Sequence, residues 1–313
     1  MEGGPDRTPD QTIEERVRAL PPTIAALFGA AYTGNDSVLR SCLKTMTADE
    51  INEWASATLI SPLHMASSHG HTECVQALCE AGAAVDPLDC GYTPLHLAVR
   101  GGQADCVRAL CRAGAEVNRT TCDGSTPLHL ACSRFSRRRA ECIGELCAAG
   151  ASVDQQDDHG DTALCQSAIL GYPDCVSALC EAGAVVDRVV DDDGNTALHQ
   201  ATRLGHVDCV RALCEAGAAL NQPAADGYTA LHLACNKCTL CVRVLLEAGA
   251  AVDQTDDVGC APLHHAADRG QADSLRVLLE AGASIDQVAD SHSKRWQRKR
   301  WHRKRWRSKV KAE

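Results

Sequence analysis

The stretch GYTPLHLAVRGGQADCVRALCRAGAEVN (91–118) returns as GNTALHQATRLGHVDCVRALCEAGAALN (194–221) and again as GCAPLHHAADRGQADSLRVLLEAGASID (259–286). The histidine of the repeated Leu-His element sets the phase at His64, His96, His129, His199, His232 and His264, with Cys165 once in its place. Steps of 32, 33, 36, 34, 33 and 32 residues separate these positions. A period of this size constrains the fold more than any other feature. One such unit is too small to bury its own apolar face, so it must stack on the next.

Within a unit, the Thr of TPLHLAV caps a helix and Pro occupies its first turn, where no backbone donor is needed. Leu and Ala follow at helical spacing, a Gly-centred turn intervenes, and CVRALC places its apolar residues on one face of a second helix. Gly in EAGA supplies the left-handed conformation that ends that helix. The VDxxDxxG segment then turns back toward the next unit. These signals predict an all-α fold built from short helix pairs.

The same residues resemble ankyrin repeats, with their G-x-TPLH-x-A, V-x-x-LL-x-x-GA and Asp/Asn finger pattern. The resemblance covers about 61–286 as seven clear repeats. Residues 22–56 read as an eighth, divergent N-terminal repeat, in which LFGAAYTGNDSVLRSCL keeps the spacing but lacks Thr-Pro and His. TADEINEW after it reads as a polar cap. The resemblance implies an ankyrin-repeat α-solenoid, helix-turn-helix pairs with hairpin-like fingers, over 22–290. A mobile segment is expected at 1–21 and a disordered basic tail at 291–313. It also implies that Thr and His of each TPLH bond one another and tie neighbouring repeats together. That role falls to Thr93/His96, Thr126/His129, Thr196/His199 and Thr229/His232, with Ser61 serving His64. Cys165 in place of His, and Ala261 in place of Thr, predict looser joints.

Charge divides the chain. Residues 291–313 carry eleven Lys and Arg against Glu313 alone, a net +10; of the totals of 31 basic and 41 acidic residues this leaves 20 and 40, or −20, for the rest. An acidic body repels phosphate, so nucleic acid is expected only through 291–313. The start lacks a signal peptide's basic and apolar regions, and no apolar run is long enough for a bilayer. The expectation is a monomer of the cytoplasm and/or nucleus, without membrane contact.

Nineteen cysteines then read as reduced thiols. Cys74, Cys106, Cys142, Cys175, Cys209 and Cys241 form one column; Cys79, Cys111, Cys147, Cys180 and Cys214 form another. Packed helices lie about 8–10 Å apart, whereas a disulfide needs Cα atoms within about 7 Å. Both columns are therefore expected to be small apolar fillers. CNKCTLC places Cys235, Cys238 and Cys241 at metal-ligand spacing, but two of the three have counterparts in other repeats, so they are only a weak metal candidate. VVDDDGN lacks the Glu that a calcium loop requires. No nucleophile, phosphate loop or paired carboxylates stand apart from the repeat. The expectation is a non-enzymatic chain without a cofactor.

Ankyrin resemblance implies a protein-recognition scaffold that binds on the concave side formed by fingers and first helices. The later fingers are acidic at Asp157, Asp158 and Asp161, at Asp191, Asp192 and Asp193, and at Asp256 and Asp257, which favours a basic partner. Tyr92 and Tyr228 follow the finger Gly and are expected as exposed anchors. CSRFSRRRAEC (132–142) lengthens one inter-helix turn with Arg134, Phe135, Arg137, Arg138 and Arg139, a second candidate contact. Asn118 in LCRAGAEVN matches the pattern of asparaginyl hydroxylation in ankyrin fingers. The ECV and DCV second helices are similar to those of ankyrin proteins with a C-terminal SOCS box. That similarity implies a second reading, a substrate-recognition subunit of a cullin-type ubiquitin ligase or a truncated form of one, although no SOCS box follows Asp286.

The tail KRWQRKRWHRKRWRSK places Trp296, Trp301 and Trp306 five residues apart, about 140° on a helix, so it has no amphipathic face. It leaves open a nucleic-acid-binding arm, a nuclear address, a segment docking on the acidic fingers, or a translated repetitive tract.

Overall fold

The structure, a computed structural model, describes residues 21–58, 60–88, 91–133 and 138–285, with the side chains of 54–58 excepted. The chain divides into two compact units between Ser152 and Val153. Unit one holds helices α1 (Pro22–Thr33), α2 (Asp36–Leu43), α3 (Ala48–Thr58), α4 (Pro62–His69), α5 (Thr72–Glu80), α6 (Pro94–Arg100), α7 (Ala104–Arg112), α8 (Pro127–Ala131) and α9 (Arg139–Ala148). Unit two holds α10 (Ala163–Leu170), α11 (Pro173–Glu181), α12 (Ala197–Leu204), α13 (Val207–Glu215), α14 (Ala230–Ala234), α15 (Thr239–Glu247), α16 (Pro262–Arg269) and α17 (Ala272–Glu280). Among the described residues the only β pairing is an isolated bridge between Gln156 and Thr162. No helix among them is long and apolar enough to cross a membrane.

Like helices stack on like. In unit one the first helices α1, α4, α6 and α8 pack in series, as do the second helices α2, α5, α7 and α9. Unit two repeats this with α10, α12, α14 and α16 and with α11, α13, α15 and α17. Leu63, Leu95 and Leu128 on first helices and Leu78, Leu110 and Leu146 on second helices are fully buried. Each fully buried Leu contributes about 1.5–3 kcal/mol, which lets a core with few aromatics hold together.

The first helix of most repeats starts with the same hydrogen-bonded corner. Thr93 Oγ1 lies 2.9 Å from His96 Nδ1, the Thr93 N–H donates to the same nitrogen at 3.1 Å, and the His96 N–H returns to Thr93 Oγ1 at 3.3 Å. Thr126/His129, Thr196/His199, Thr229/His232 and Ser61/His64 repeat the hydroxyl–imidazole contact at 2.8–2.9 Å. The far imidazole nitrogen reaches the next finger: His64 Nε2 is 3.2 Å from the Tyr92 carbonyl, His96 Nε2 is 2.9 Å from Arg119, and His232 Nε2 is 3.0 Å from Cys260. The two departures lose part of this corner. Thr162 still caps Cys165 N–H at 3.2 Å with no imidazole beyond it, and Ala261 offers His264 Nδ1 only its backbone N–H at 3.0 Å.

Two further ties are less visible in the sequence. His71 Nε2 bonds the Tyr32 carbonyl, and His206 Nε2 the Ile169 carbonyl, each at 3.0 Å on the preceding repeat. An Asx side chain of the finger, or of α3 in the N-terminal repeat, accepts a backbone N–H from the next repeat. In unit one this is Asn52 from Ala84 (2.7 Å), Asp86 from Glu116 (3.0 Å) and Asn118 from Ser152 (2.7 Å). In unit two it is Asp154 from Val185, Asp187 from Ala219, Asn221 from Ala251 and Asp253 from Ser284, at 2.8–3.0 Å.

The N-terminal repeat departs in a defined way: TADEINEW forms the helix α3 where other repeats have a finger. Thr47 and Glu50 close its first turn as a capping box, with Thr47 N–H to Glu50 Oε2 at 2.7 Å and Glu50 N–H to Thr47 Oγ1 at 3.3 Å.

Candidate protein-binding surface

The fingers of unit two are tight turns closed by their own first residue. Asp157 N–H donates to the Asp161 carbonyl at 3.0 Å while its Oδ1 accepts the N–H groups of His159 and Asp161 at 2.9 and 3.0 Å. Asp191 Oδ1 accepts Asn195 N–H at 2.8 Å, and its Oδ2 accepts the Asn195 and Gln200 amides, each at 2.9 Å. Asp256 Oδ1 accepts Cys260 N–H at 2.8 Å and Val258 N–H at 3.0 Å, and its Oδ2 lies 2.9 Å from His265 Nε2. Burial pushes the Asp256 carboxyl up, but the bonds from His265 and from the Cys260 and Val258 N–H groups outweigh it, and its pKa ends below the usual range.

The eight acidic residues expected to face a partner therefore separate into three inward carboxylates, one half-buried and four exposed. Asp157, Asp191 and Asp256 turn their carboxylates into their own finger, and Asp256 is only 5% exposed. This corrects the expectation that they are offered outward: a DxxG turn needs its first carboxylate as an internal acceptor. Asp161 is half-buried beside the Cys165 thiol, which burial first and Asp161 second hold protonated. Asp158, Asp192, Asp193 and Asp257 are exposed at the tips, as is Asp226. Neighbouring tips touch through their backbones: Ala225 N–H donates to the Asp193 carbonyl at 2.6 Å, and Asp257 N–H to the Asp226 carbonyl at 3.2 Å. Gly227, at φ +75°, sits under Asp257 so closely that a Cβ would strike its backbone nitrogen.

Tyr92 and Tyr228 are half-buried rather than exposed. The Tyr92 ring meets His96 edge-on at 6.1 Å with the Arg100 guanidinium 5.5 Å over it, and Tyr228 packs against His232 at 5.8 Å and His265 at 5.1 Å. The residue after the finger Gly points back over the capping imidazole, which is why neither ring stands clear. The exposed large apolar side chains of unit two are Val185 and Val189, beside the Asp191–Asp193 tip, Leu204 at the end of α12, Leu240 on the second helix α15, and Ile285 (51%, 46%, 49%, 61% and 43%). Only the lack of a structural role for Val185 and Val189 in the repeat pattern could have singled them out.

Asn118 is half-buried, with its side-chain carbonyl held by Ser152 as described above. Of the lengthened turn, Arg134, Phe135 and Arg137 lie outside the described residues, whereas Arg138 pairs with Asp105 and Glu141 and Arg139 donates to the Ser133 carbonyl. Residues 1–20 and the tail 291–313 also lie outside the described residues.

The first cysteine column behaves as filler, whereas Cys79, Cys111, Cys147, Cys180 and Cys214 of the second are only half-buried. Cys74, Cys106, Cys142, Cys175, Cys209 and Cys241 are buried, and burial pushes Cys106 up to about 11 and Cys142 and Cys209 to about 12. Cys235, Cys238 and Cys241 do not converge as a donor set. Cys238 Sγ caps α15 by accepting Cys241 N–H at 3.4 Å, and Cys235 is buried with its thiol pushed up to about 12. Among the described residues one donor set does converge, Asp256, Cys260 and His265.

This periodic framework of capped helix pairs and Asx-tied fingers is matched by the sequence family described as ankyrin repeats (3 copies), over residues 27–121, 85–157, 128–224 and 219–289. The chain belongs to the ankyrin-repeat family. It is similar to the ankyrin repeat domain of human ASB11 at 28% identity and a TM-score of 0.59, covering 72% of this chain and 99% of that one. It is also similar to the ankyrin repeat domain of Bcl-3, a member of the IkappaB protein family, at 29% identity and a TM-score of 0.61, covering 70% of this chain and 98% of that one. No curated protein matches the chain by sequence. Ankyrin repeats are protein–protein interaction modules, and the fold places this chain in that class.

Proposed function

We propose that the chain is a non-enzymatic scaffold whose second unit holds a basic protein segment along its fingers and first helices. The row of exposed carboxylates at Asp158, Asp192, Asp193, Asp226 and Asp257, on successive fingers, carries this reading. Oriented acidic tips raise the encounter rate with a basic partner and disfavour acidic ones. Val185 and Val189 beside the Asp191–Asp193 tip supply apolar area, so the partner segment combines Lys or Arg with aliphatic side chains.

Replacing Asp158, Asp192, Asp193, Asp226 and Asp257 with Asn neutralises the tips while leaving the turn-closing Asp157, Asp191 and Asp256 in place. Proteins captured by the wild-type chain are expected to be lost from this variant. They are also expected to be released as salt rises from ~0.1 to ~1 M, which shortens the Debye length from about 10 to about 3 Å. An unchanged set of captured proteins at either step would overturn the reading.

A further inference from the structure

The last finger of unit two differs from its neighbours in chemistry rather than in shape. In the finger two repeats earlier, Asp191 is clasped by two amides, Asn195 four residues on and Gln200 nine residues on. The corresponding positions around Asp256 carry Cys260 and His265. Two amide side chains, which are not customary zinc ligands, have as their counterparts here a thiol and an imidazole, which are. One donor atom each from Asp256, Cys260 and His265 lies within 4.8 Å of the other two.

We propose that Asp256, Cys260 and His265 form a zinc-binding site at the junction of this finger with α16. Oxygen, sulfur and nitrogen ligands at about 2.0–2.3 Å suit a tetrahedral zinc ion, with water completing the fourth position. Tetrahedral ligands at those lengths stand about 3.3–3.7 Å apart, so Asp256 Oδ2 and His265 Nε2, now 2.9 Å apart, open by well under 1 Å. The surroundings hold the ligands in place. Asp256 Oδ1 is occupied by two backbone N–H groups, which leaves Oδ2 for the metal. Cys260 is fixed on both sides, its N–H on Asp256 and its carbonyl accepting from Asp256 N–H and from His232 Nε2, each at 3.0 Å. The His265 ring is wedged edge-on against Tyr228 and His232 at 5.1 and 5.4 Å. Asp256 is buried, whereas Cys260 and His265 each keep partial exposure, so an ion enters from the imidazole and thiol side.

On binding, the Cys260 thiol releases its proton to solvent. The imidazole takes the tautomer with hydrogen on Nδ1, turning the Nε2 lone pair to the metal, and a charged imidazole releases a second proton. Affinity therefore rises as pH rises and is lost in acid.

Cobalt(II) and zinc(II) titrations of the full chain under reducing conditions test the site. Cys260→Asn and His265→Gln copy Asn195 and Gln200 and keep the donors that close the finger. The wild-type chain is expected to bind one more equivalent of cobalt than either variant, with tetrahedral visible bands and a thiolate charge-transfer band, displaced by zinc. Each variant is expected to bind that equivalent at least ~10-fold more weakly, and Cys238→Ser is expected to retain it. Should Cys260→Asn fail to fold, Cys260→Ser gives the same readout. Retention of the equivalent in the Cys260 and His265 variants, its loss in Cys238→Ser, or the absence of tetrahedral bands in the wild type would overturn the proposal.

Discussion

His232 stands 3.0 Å from the carbonyl oxygen of Cys260 through Nε2, while its Nδ1 accepts the Thr229 N–H at 3.1 Å. One ring thus joins the start of a helix to the finger of the following repeat. The arrangement fixes the tautomer, because Nδ1 must stay unprotonated to accept while Nε2 carries the hydrogen. A second proton would have to displace the Thr229 bond inside a buried site.

That requirement gives the fold a pH dependence. Burial lowers His96 and His232 from 6.5 to about 4. Above pH 6.5 both rings are neutral in folded and unfolded chains, and they bring no pH dependence. Between about 6.5 and about 4 only the unfolded chain takes up protons, so stability is lost as pH is lowered through this window, by up to about 3 kcal/mol per ring. Urea denaturation at pH 7 and pH 4.5 is expected to show this drop, and His232→Cys, which copies Cys165, is expected to reduce it.

The hydroxyl of the capping pair can be removed in one repeat and restored in another. Thr229→Val deletes the 2.9 Å contact to His232 Nδ1 and is expected to cost about 1–2 kcal/mol. Ala261→Thr supplies the hydroxyl that His264 lacks and is expected to stabilise by about 1 kcal/mol. Chemical denaturation of the two variants against wild type measures both.

The Asx ladder predicts a local effect. Asp187→Ala leaves the Ala219 N–H without its 2.8 Å acceptor, and Asp187→Asn keeps one. Amide exchange at Ala219 is expected to accelerate in the Ala variant and to stay near wild type in the Asn variant, with a cost of about 1 kcal/mol for Ala.

Thiol labelling separates fillers from surface groups. Cys122 is exposed, and Cys106, Cys142, Cys209 and Cys235 are buried thiols held protonated. Native-state alkylation followed by mass spectrometry is expected to mark Cys122 first and the four buried thiols only on unfolding.

What could be read in the sequence was what the chain decides locally. Thr93 and His96 are three residues apart, and their pairing follows from helix geometry once the repeat is recognised. The Asx ladder was not legible in this way, because Asp187 and Ala219 lie in different repeats and only stacking brings them together. Charge counting misjudged Asp256, since composition does not show that a finger's first carboxylate folds inward. Cys260 and His265 escaped notice because each fills an ordinary repeat position; their convergence on Asp256 needs the finger to fold back on its helix. CNKCTLC had metal spacing in sequence, yet the repeat assigns Cys238 to a cap and Cys235 to the core.

The central claim is that a basic partner lies on the finger tips and first helices of unit two. Cross-linking mass spectrometry of the captured complex tests it most directly, with carboxyl-to-lysine reagents joining protein acids to partner lysines. The expected result is cross-links from Asp158, Asp192, Asp193 and Asp257 to partner lysines. Cross-links confined to acids of the second helices, such as Asp174, Asp208 and Glu247, would contradict it.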